Sequence, residues 1–212
     1  MRRVGIAVIA LSVALSGAVT AAISPELVTL RAEWAKVKYE LPEEQREAAF
    51  EDLARQARHI SDSKPGAAEP LIWEAIILAS SAGENGGLGA LSLVKQAREL
   101  LLKAEEINAT AMDGSVYTSL GSLYYQVPGW PLAFGDDDQA RVYLEKALAL
   151  NPDGIDANYF YGDFLMQQGD YAAAIIAFEK ALQAPSRPDR PLADKGRRQE
   201  VQAALAEANN KL

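Results

Sequence analysis

Apolar residues recur along the chain at the i, i+3, i+4, i+7 spacing of a helix face, in blocks separated by Pro, Gly and Asn. Ser24 and Pro25 open the first block as N-cap and first helical residue, and it runs to about Glu40. Pro42-Glu43-Glu44 restarts a helix that carries Phe50, Leu53, Ala54 and Ala57 on one side. The breaker-rich Ser61-Asp62-Ser63-Lys64-Pro65-Gly66 ends it. The next helix spans Pro70 to Ala82, and its partner runs from about Leu91 to Ile107 with Ala97, Leu101 and Ala104 on its apolar face. A further helix opens near Asp113 and contains Tyr117, Leu120, Gly121 and Tyr124, and another begins around Asp137. Ile155 to Ala184 reads as a regular helix pair. The prolines between Pro185 and Pro191 then interrupt the pattern before a polar, alanine-rich helix from about Leu192 to Asn209.

These helices come in pairs with a fixed period. Ala140, Leu144, Ala147 and Pro152 return as Ala174, Phe178, Ala181 and Pro185, and Ala140 to Ala174 is 34 residues. With Gly162 and Tyr171, this pattern resembles the tetratricopeptide repeat, whose period is about 34 residues. Trp34 and Trp73 fall at the signature tryptophan position of more degenerate copies. The expected fold is an all-α right-handed α-solenoid of about four such pairs (25–60, 70–107, 113–150 and the regular 155–184). The helix at 192–209 would cap its end, and 23–212 would form a single domain. Two pairs carry insertions in their turns. One is the flexible Gly83-Glu84-Asn85-Gly86-Gly87-Leu88-Gly89 segment, the other Val127-Pro128-Gly129-Trp130-Pro131-Leu132-Ala133-Phe134-Gly135.

Residues 1–22 stand apart. Arg2 and Arg3 precede an apolar run from Val4 to Leu15, and Val19-Thr20-Ala21-Ala22 ends in small residues, the layout of a secretory signal peptide. A periplasmic mature protein is the expectation, with membrane anchoring by residues 4–22 as the alternative. The sequence contains no cysteine, which rules out a lipobox anchor, disulfides and thiolate zinc sites. The net charge is −8, and removal of residues 1–22 leaves 19 basic against 29 acidic residues. Such a surface repels phosphate backbones, so nucleic acid is not an expected partner.

Little in the chain invites catalysis. The single histidine, His59, is placed to interact with a helix C-terminus. Asp136-Asp137-Asp138 reads as a helix start rather than a cation loop, and Gly86-Gly87-Leu88-Gly89 lacks the lysine of a phosphate loop. No catalytic, cofactor or metal site is expected. The weaker alternative is acid–base work on a glycan by two of Glu74, Asp156 and Asp163.

A groove carries more of the argument. The inner helix of each pair should present Leu71, Glu74 and Leu78, then Ser115, Thr118, Ser122 and Tyr125, then Asp156, Tyr159, Asp163 and Met166 to the concave face. No Lys or Arg lies in 70–82, 113–130 or 155–168. A groove without cations suits an apolar or cationic ligand rather than a carboxylate. Trp130 and Phe134 sit on the prolyl insertion, where they either close a lip over a ligand pocket or plug the gap between repeats.

The run from Gly121 to Asp136, with Asn151-Pro152-Asp153-Gly154-Ile155-Asp156 and Arg187-Pro188-Asp189-Arg190-Pro191, resembles a block in secreted proteobacterial tetratricopeptide proteins. More distantly, the layout is similar to the T component of periplasmic TRAP-type transporters, the TatT family. That resemblance implies a helical solenoid with a central pore, a substrate-binding subunit as partner and hydrophobic ligands. Two functions follow as expectations. One is a scaffold for an envelope protein or extended peptide; the other is a small-molecule accessory to a transporter. A second copy of the chain is a further admissible partner.

Overall fold

The computed structural model describes residues 24–212, so the signal segment lies outside the described residues. Among these, nine helices account for all the regular structure: α1 (Pro25–Tyr39), α2 (Glu43–Ser63), α3 (Ala68–Asn85), α4 (Gly87–Asn108), α5 (Ala111–Gln126), α6 (Asp137–Leu150), α7 (Ile155–Gln167), α8 (Tyr171–Gln183) and α9 (Pro191–Asn209). The chain is an all-α solenoid. Local chemistry sets several boundaries. Asp136 and Asp170 accept hydrogen bonds from the backbone N–H groups of Gln139 (3.0 Å) and Ala173 (3.2 Å), the N-cap role anticipated for Asp136. Pro25 and Pro191 occupy first turns, where a missing N–H costs nothing.

The odd-numbered helices form an inner layer and the even-numbered helices an outer one. Each inner helix meets the next, α1 to α3, α3 to α5, α5 to α7 and α7 to α9. The even-numbered helices touch only their neighbours in sequence. Gly121 and Gly162 show why the layers approach so closely. A Cβ on Gly121 would fall 2.6 Å from Leu144 Cγ, and one on Gly162 would fall 2.6 Å from Phe178 Cε1. These are the same repeat position in consecutive pairs, and only glycine leaves room for the outer helix's apolar knob.

Two expectations need correction. The insertion after α3 forms no flexible connection. Gly86 and Gly87, at φ 62° and 63°, reverse the chain, and the added residues lengthen α3 and α4 instead. Leu88, Ala90, Leu91 and Leu93 are good helix formers and outweigh Gly89, so the added residues extend helix rather than form a loop. The second correction concerns α9, which does more than cap. It packs against α1 as well as α7 and α8, closing the inner helices into a ring of five. Ala193 joins the core of Leu27, Leu30 and Trp34, and Gly196 lies against the ring of Tyr39, where a Cβ has no space. Arg198 ties α9 to the end of α8 through the carbonyls of Leu182 and Ala184, each at 2.6 Å.

α5 begins irregularly. Met112, Asp113 and Gly114 have positive φ, and regular helix resumes at Ser115. Two consecutive non-glycine residues in the left-handed region store strain of about 1–3 kcal/mol each.

Candidate functional site: a central cavity

The inner helices line a central cavity of about 710 Å³ that is partly open to solvent. Helical periodicity decides what faces it. From α1 come Arg31, Trp34 and Lys38, and from α3 come Trp73, Ile76 and Ser80. α5 contributes a hydroxyl stripe of Ser115, Thr118 and Ser122, and α7 contributes Asp156, Tyr159 and Phe160. α9 and the segment before it add Arg187, Arg190 and Arg197.

Of the groove residues expected from sequence, Ser115, Thr118, Ser122, Asp156 and Tyr159 line the cavity. The others do not. Leu71 and Leu78 are buried in the core with Ala97, Leu101 and Ala104 of α4. Glu74 is buried and accepts a hydrogen bond from Ser61 Oγ of α2. The reason is that α3 is enclosed by α2, α4 and both neighbouring inner helices, so only the stripe through Trp73, Ile76 and Ser80 reaches the cavity. Tyr125 is buried, and its hydroxyl donates to Asp163 at 2.6 Å, which keeps both away from the cavity. Burial, then Asp163, pushes the Tyr125 hydroxyl far above its usual range. Met166 packs half-buried in the core around Phe164 and Phe178. Of Glu74, Asp156 and Asp163 only Asp156 lines the cavity, and the other two are engaged by Ser61 and Tyr125.

The cavity is not free of cations, contrary to the reading of the inner helices. Four arginines reach it from outside the regular repeats, from α1 and from the segment that closes the ring. Asp156 sits at their centre. It accepts from Arg187 Nη1 at 2.7 Å and from Arg197 Nε at 2.9 Å, with Arg190 Nη1 at 4.0 Å. Asp194 accepts from the backbone N–H and Nε of Arg187, both at 2.7 Å. Arg197 also donates to Glu200 at 2.7 Å, and Arg31 to Asp189 at 2.9 Å. Burial alone would raise the Asp156 carboxyl, but Arg197, Arg187 and Arg190 together hold it far below the usual range. Burial likewise opposes the charge on Arg187 and Arg197, yet their carboxylate partners raise both.

Aromatic rings complete the wall. Arg197 lies over Tyr159 and Phe160, 4.3 and 4.7 Å from their centroids. Arg31 and Arg190 both lie over Trp73, at 5.6 and 5.2 Å. Sequence periodicity missed this network because three of the four arginines come from the segment after the last repeat and the fourth, Arg31, from α1 at the other end of the chain. The only signal was the charge-rich Arg187-Pro188-Asp189-Arg190 run.

The insertion after α5 lies elsewhere. Neither Trp130 nor Phe134 lines the cavity. Phe134 is half-buried against Tyr124, with centroids 5.6 Å apart, and Arg98 covers it at 4.7 Å. It plugs. Trp130 is 90% exposed and Leu132 is 67% exposed, so Trp130 is neither lip nor plug. The loop is held by its own backbone. Leu132 and Ala133 donate to the Gly129 carbonyl, Gly135 donates to Pro128, and Asp136 donates to Tyr124 at 2.8 Å. Gly135 lies so close to Val127 and Pro128 that no side chain fits there.

No curated protein matches the sequence. Among solved structures, the crystal structure of MamA is 22% identical, with 79% of this chain and 92% of that chain covered and a TM-score of 0.46. A second, of MamA protein, is 21% identical over 88% of this chain and 92% of the other, with a TM-score of 0.45. A thermophilic TPR protein in Thermus thermophilus is 16% identical over 86% of this chain and 99% of the other, also at 0.45. Residues 132–191, from the end of the prolyl loop through α8, match the family model described as "Tetratricopeptide repeat", and in that span the chain carries tetratricopeptide repeats.

Proposed function

We propose that the protein is a non-catalytic scaffold of the cell envelope that grips a partner protein through the loop at 127–135. The observation that carries this reading is Trp130. A large aromatic held almost fully in solvent by a rigid, hydrogen-bonded loop costs free energy unless something covers it. A pre-ordered tryptophan also loses little entropy on docking, which is why such residues act as interface hot spots. Leu132 extends the apolar tip, and Asp136, Asp137 and Asp138 flank it, so the fitting partner has an apolar pocket with a basic rim. The acidic flank and net charge of −8 disfavour an anionic lipid surface.

The periplasm is the proposed location, resting on the signal-like segment at residues 1–22. The substrate-binding subunit of a TRAP-type transporter is one partner of this kind, and that placement rests on sequence resemblance alone. A photo-crosslinking residue at position 130 should give one discrete adduct in the periplasmic fraction. The same residue at Ile176, also exposed but on α8, should give none. Equal labelling at both sites, or none at 130, refutes the docking role, and a cytoplasmic C-terminal fusion refutes the location.

A further inference from the structure

The cavity has two unlike polar walls set across from each other. α5 neighbours α3 and α7 among the inner helices and touches neither α1 nor α9 among the described residues, so it faces the segment that closes the ring. It brings Ser115, Ser119 and Ser122 to the cavity. Ser115 Oγ donates to the Met112 carbonyl at 2.7 Å, and Ser122 Oγ donates to the Ser119 carbonyl at 3.0 Å. The one hydroxyl proton of each is spent inside the helix, which leaves the oxygen as an acceptor. The facing wall carries Arg187, Arg197, Asp156 and Glu200, all partly exposed, and so offers donors and acceptors side by side. Its charge is balanced, because Arg31, Arg187, Arg190 and Arg197 stand against Asp156, Asp189, Asp194 and Glu200. An anion finds no free cation there. A cation would meet Glu84, Asp113 and Asp153, but the last two are solvent-exposed, where ion pairs contribute little, and Lys38 also lines the cavity. The flanks between the two polar walls are apolar. Ile76 and Ala79 of α3 lie on one side and Phe160 of α7 on the other, all half-buried.

We propose that the cavity binds an uncharged saccharide, its hydroxyl groups bridging the serine oxygens of α5 and the ion-pair network opposite, and its C–H faces resting on Ile76, Ala79 and Phe160. A sugar hydroxyl both donates and accepts, so one kind of group serves the acceptor row and the mixed wall alike. A purely apolar guest would strip water from the serine oxygens and the carboxylates without replacing those hydrogen bonds, which is costly. A charged guest would lose its hydration beside a wall whose charges already cancel. A sugar ring carries apolar faces edged by hydroxyls, the same alternation that the apolar flanks and polar walls present. A volume of about 710 Å³ lies in the range that small-molecule sites occupy, about 300–1,000 Å³. The inference stands on the cavity and does not depend on what docks at Trp130.

Ligand-observed saturation-transfer NMR on the full chain tests it with a fixed set of probes. The neutral probes are methyl glucoside, methyl galactoside, methyl mannoside, maltose, cellobiose and trehalose. Cyclohexanol supplies a ring of similar size with one hydroxyl, and methyl glucuronoside and glucosamine supply the two signs of charge. At least one neutral sugar should bind with a Kd below about 10 mM, and cyclohexanol and both charged sugars should bind roughly tenfold or more weakly. Ser122→Ala removes one acceptor from an α-helix that alanine favours, so folding is not at risk. It should weaken the best neutral sugar about fivefold, the scale of one hydrogen bond, and leave cyclohexanol unchanged. Ala79→Trp, which fills one apolar flank, should abolish binding of that sugar. Absence of binding by every neutral sugar, cyclohexanol or a charged sugar binding as tightly, an unchanged affinity in Ser122→Ala, or binding that persists in Ala79→Trp would each overturn the proposal.

Discussion

Replacing Asp156 with asparagine tests whether one carboxylate organises the closing segment of the ring. The carboxylate accepts two charge-assisted hydrogen bonds, 2.7 Å from Arg187 and 2.9 Å from Arg197, and faces Arg190. Such bonds contribute about 1.5–3 kcal/mol each. Asparagine keeps one acceptor oxygen, and Arg187 and Arg197 retain Asp194 and Glu200, so neither arginine is stranded. That moderates the loss below the roughly 3–5 kcal/mol of breaking a fully buried pair. The unscreened repulsion among three guanidiniums adds to it. A loss of about 2–4 kcal/mol is expected, a large share of a stability near 5–15 kcal/mol.

The pH dependence has a definite sign. A carboxyl whose pKa is lowered in the folded state stabilises the fold above its ordinary value of 3.8. It loses that contribution as pH falls through the lower folded value. Urea unfolding followed by circular dichroism should therefore show a constant gap between wild type and Asp156→Asn from pH 7 to about 5. The gap should narrow steadily below about pH 4, because only the wild type has this proton to gain. A variant within about 0.5 kcal/mol of wild type at pH 7 would place Asp156 outside the stabilising network. A gap unchanged down to pH 2.5 would refute the electrostatic cause.

Other outcomes follow from close contacts and exposure. Gly196→Ala should push α9 from Tyr39, costing about 1–3 kcal/mol and exposing Lys195 and Arg197 to trypsin in limited proteolysis. Gly162→Ala should destabilise by a similar about 1–3 kcal/mol in thermal melting, since its Cβ meets the buried Phe178 ring. Trp130→Ala should leave the melting temperature nearly unchanged, within about 0.5 kcal/mol, while abolishing the partner's co-purification. Phe134→Ala should lower stability by about 1–3 kcal/mol, less than a fully buried phenylalanine.

How far the sequence revealed this molecule depended on whether the information was local. Helix starts at Pro25, Glu43, Asp137 and Ile155 were legible because caps and prolines act within one turn. The pairing α7–α8 was legible because Gly162 and Phe178 keep the repeat spacing. Inward-facing residues were legible on α5, where Ser115, Thr118 and Ser122 line the cavity. They were not on α3, because packing on four other helices rotates Leu71 and Leu78 into the core. Trp130 and Phe134 share a loop but have opposite environments, which no composition argument separates. The arginine cluster was least legible of all. It joins Arg31 to Asp189 across 158 residues, a contact made only when the ring closes.

Closure also explains why α9 is polar. A helix that merely shielded the last repeat would need charge only on its outer side. Here Arg197 is buried, Asp194 is buried, and both are engaged within the ring rather than with water. Their charges cancel against Asp156, Arg187 and Glu200, so the closing helix brings its own neutralisation into the cavity wall. An open solenoid can flex to admit a bulky chain, but a ring fastened by ion pairs and by Tyr39 against Gly196 keeps a bounded interior. The loop that carries Trp130 lies outside that interior, with Trp130 90% exposed and absent from the cavity wall.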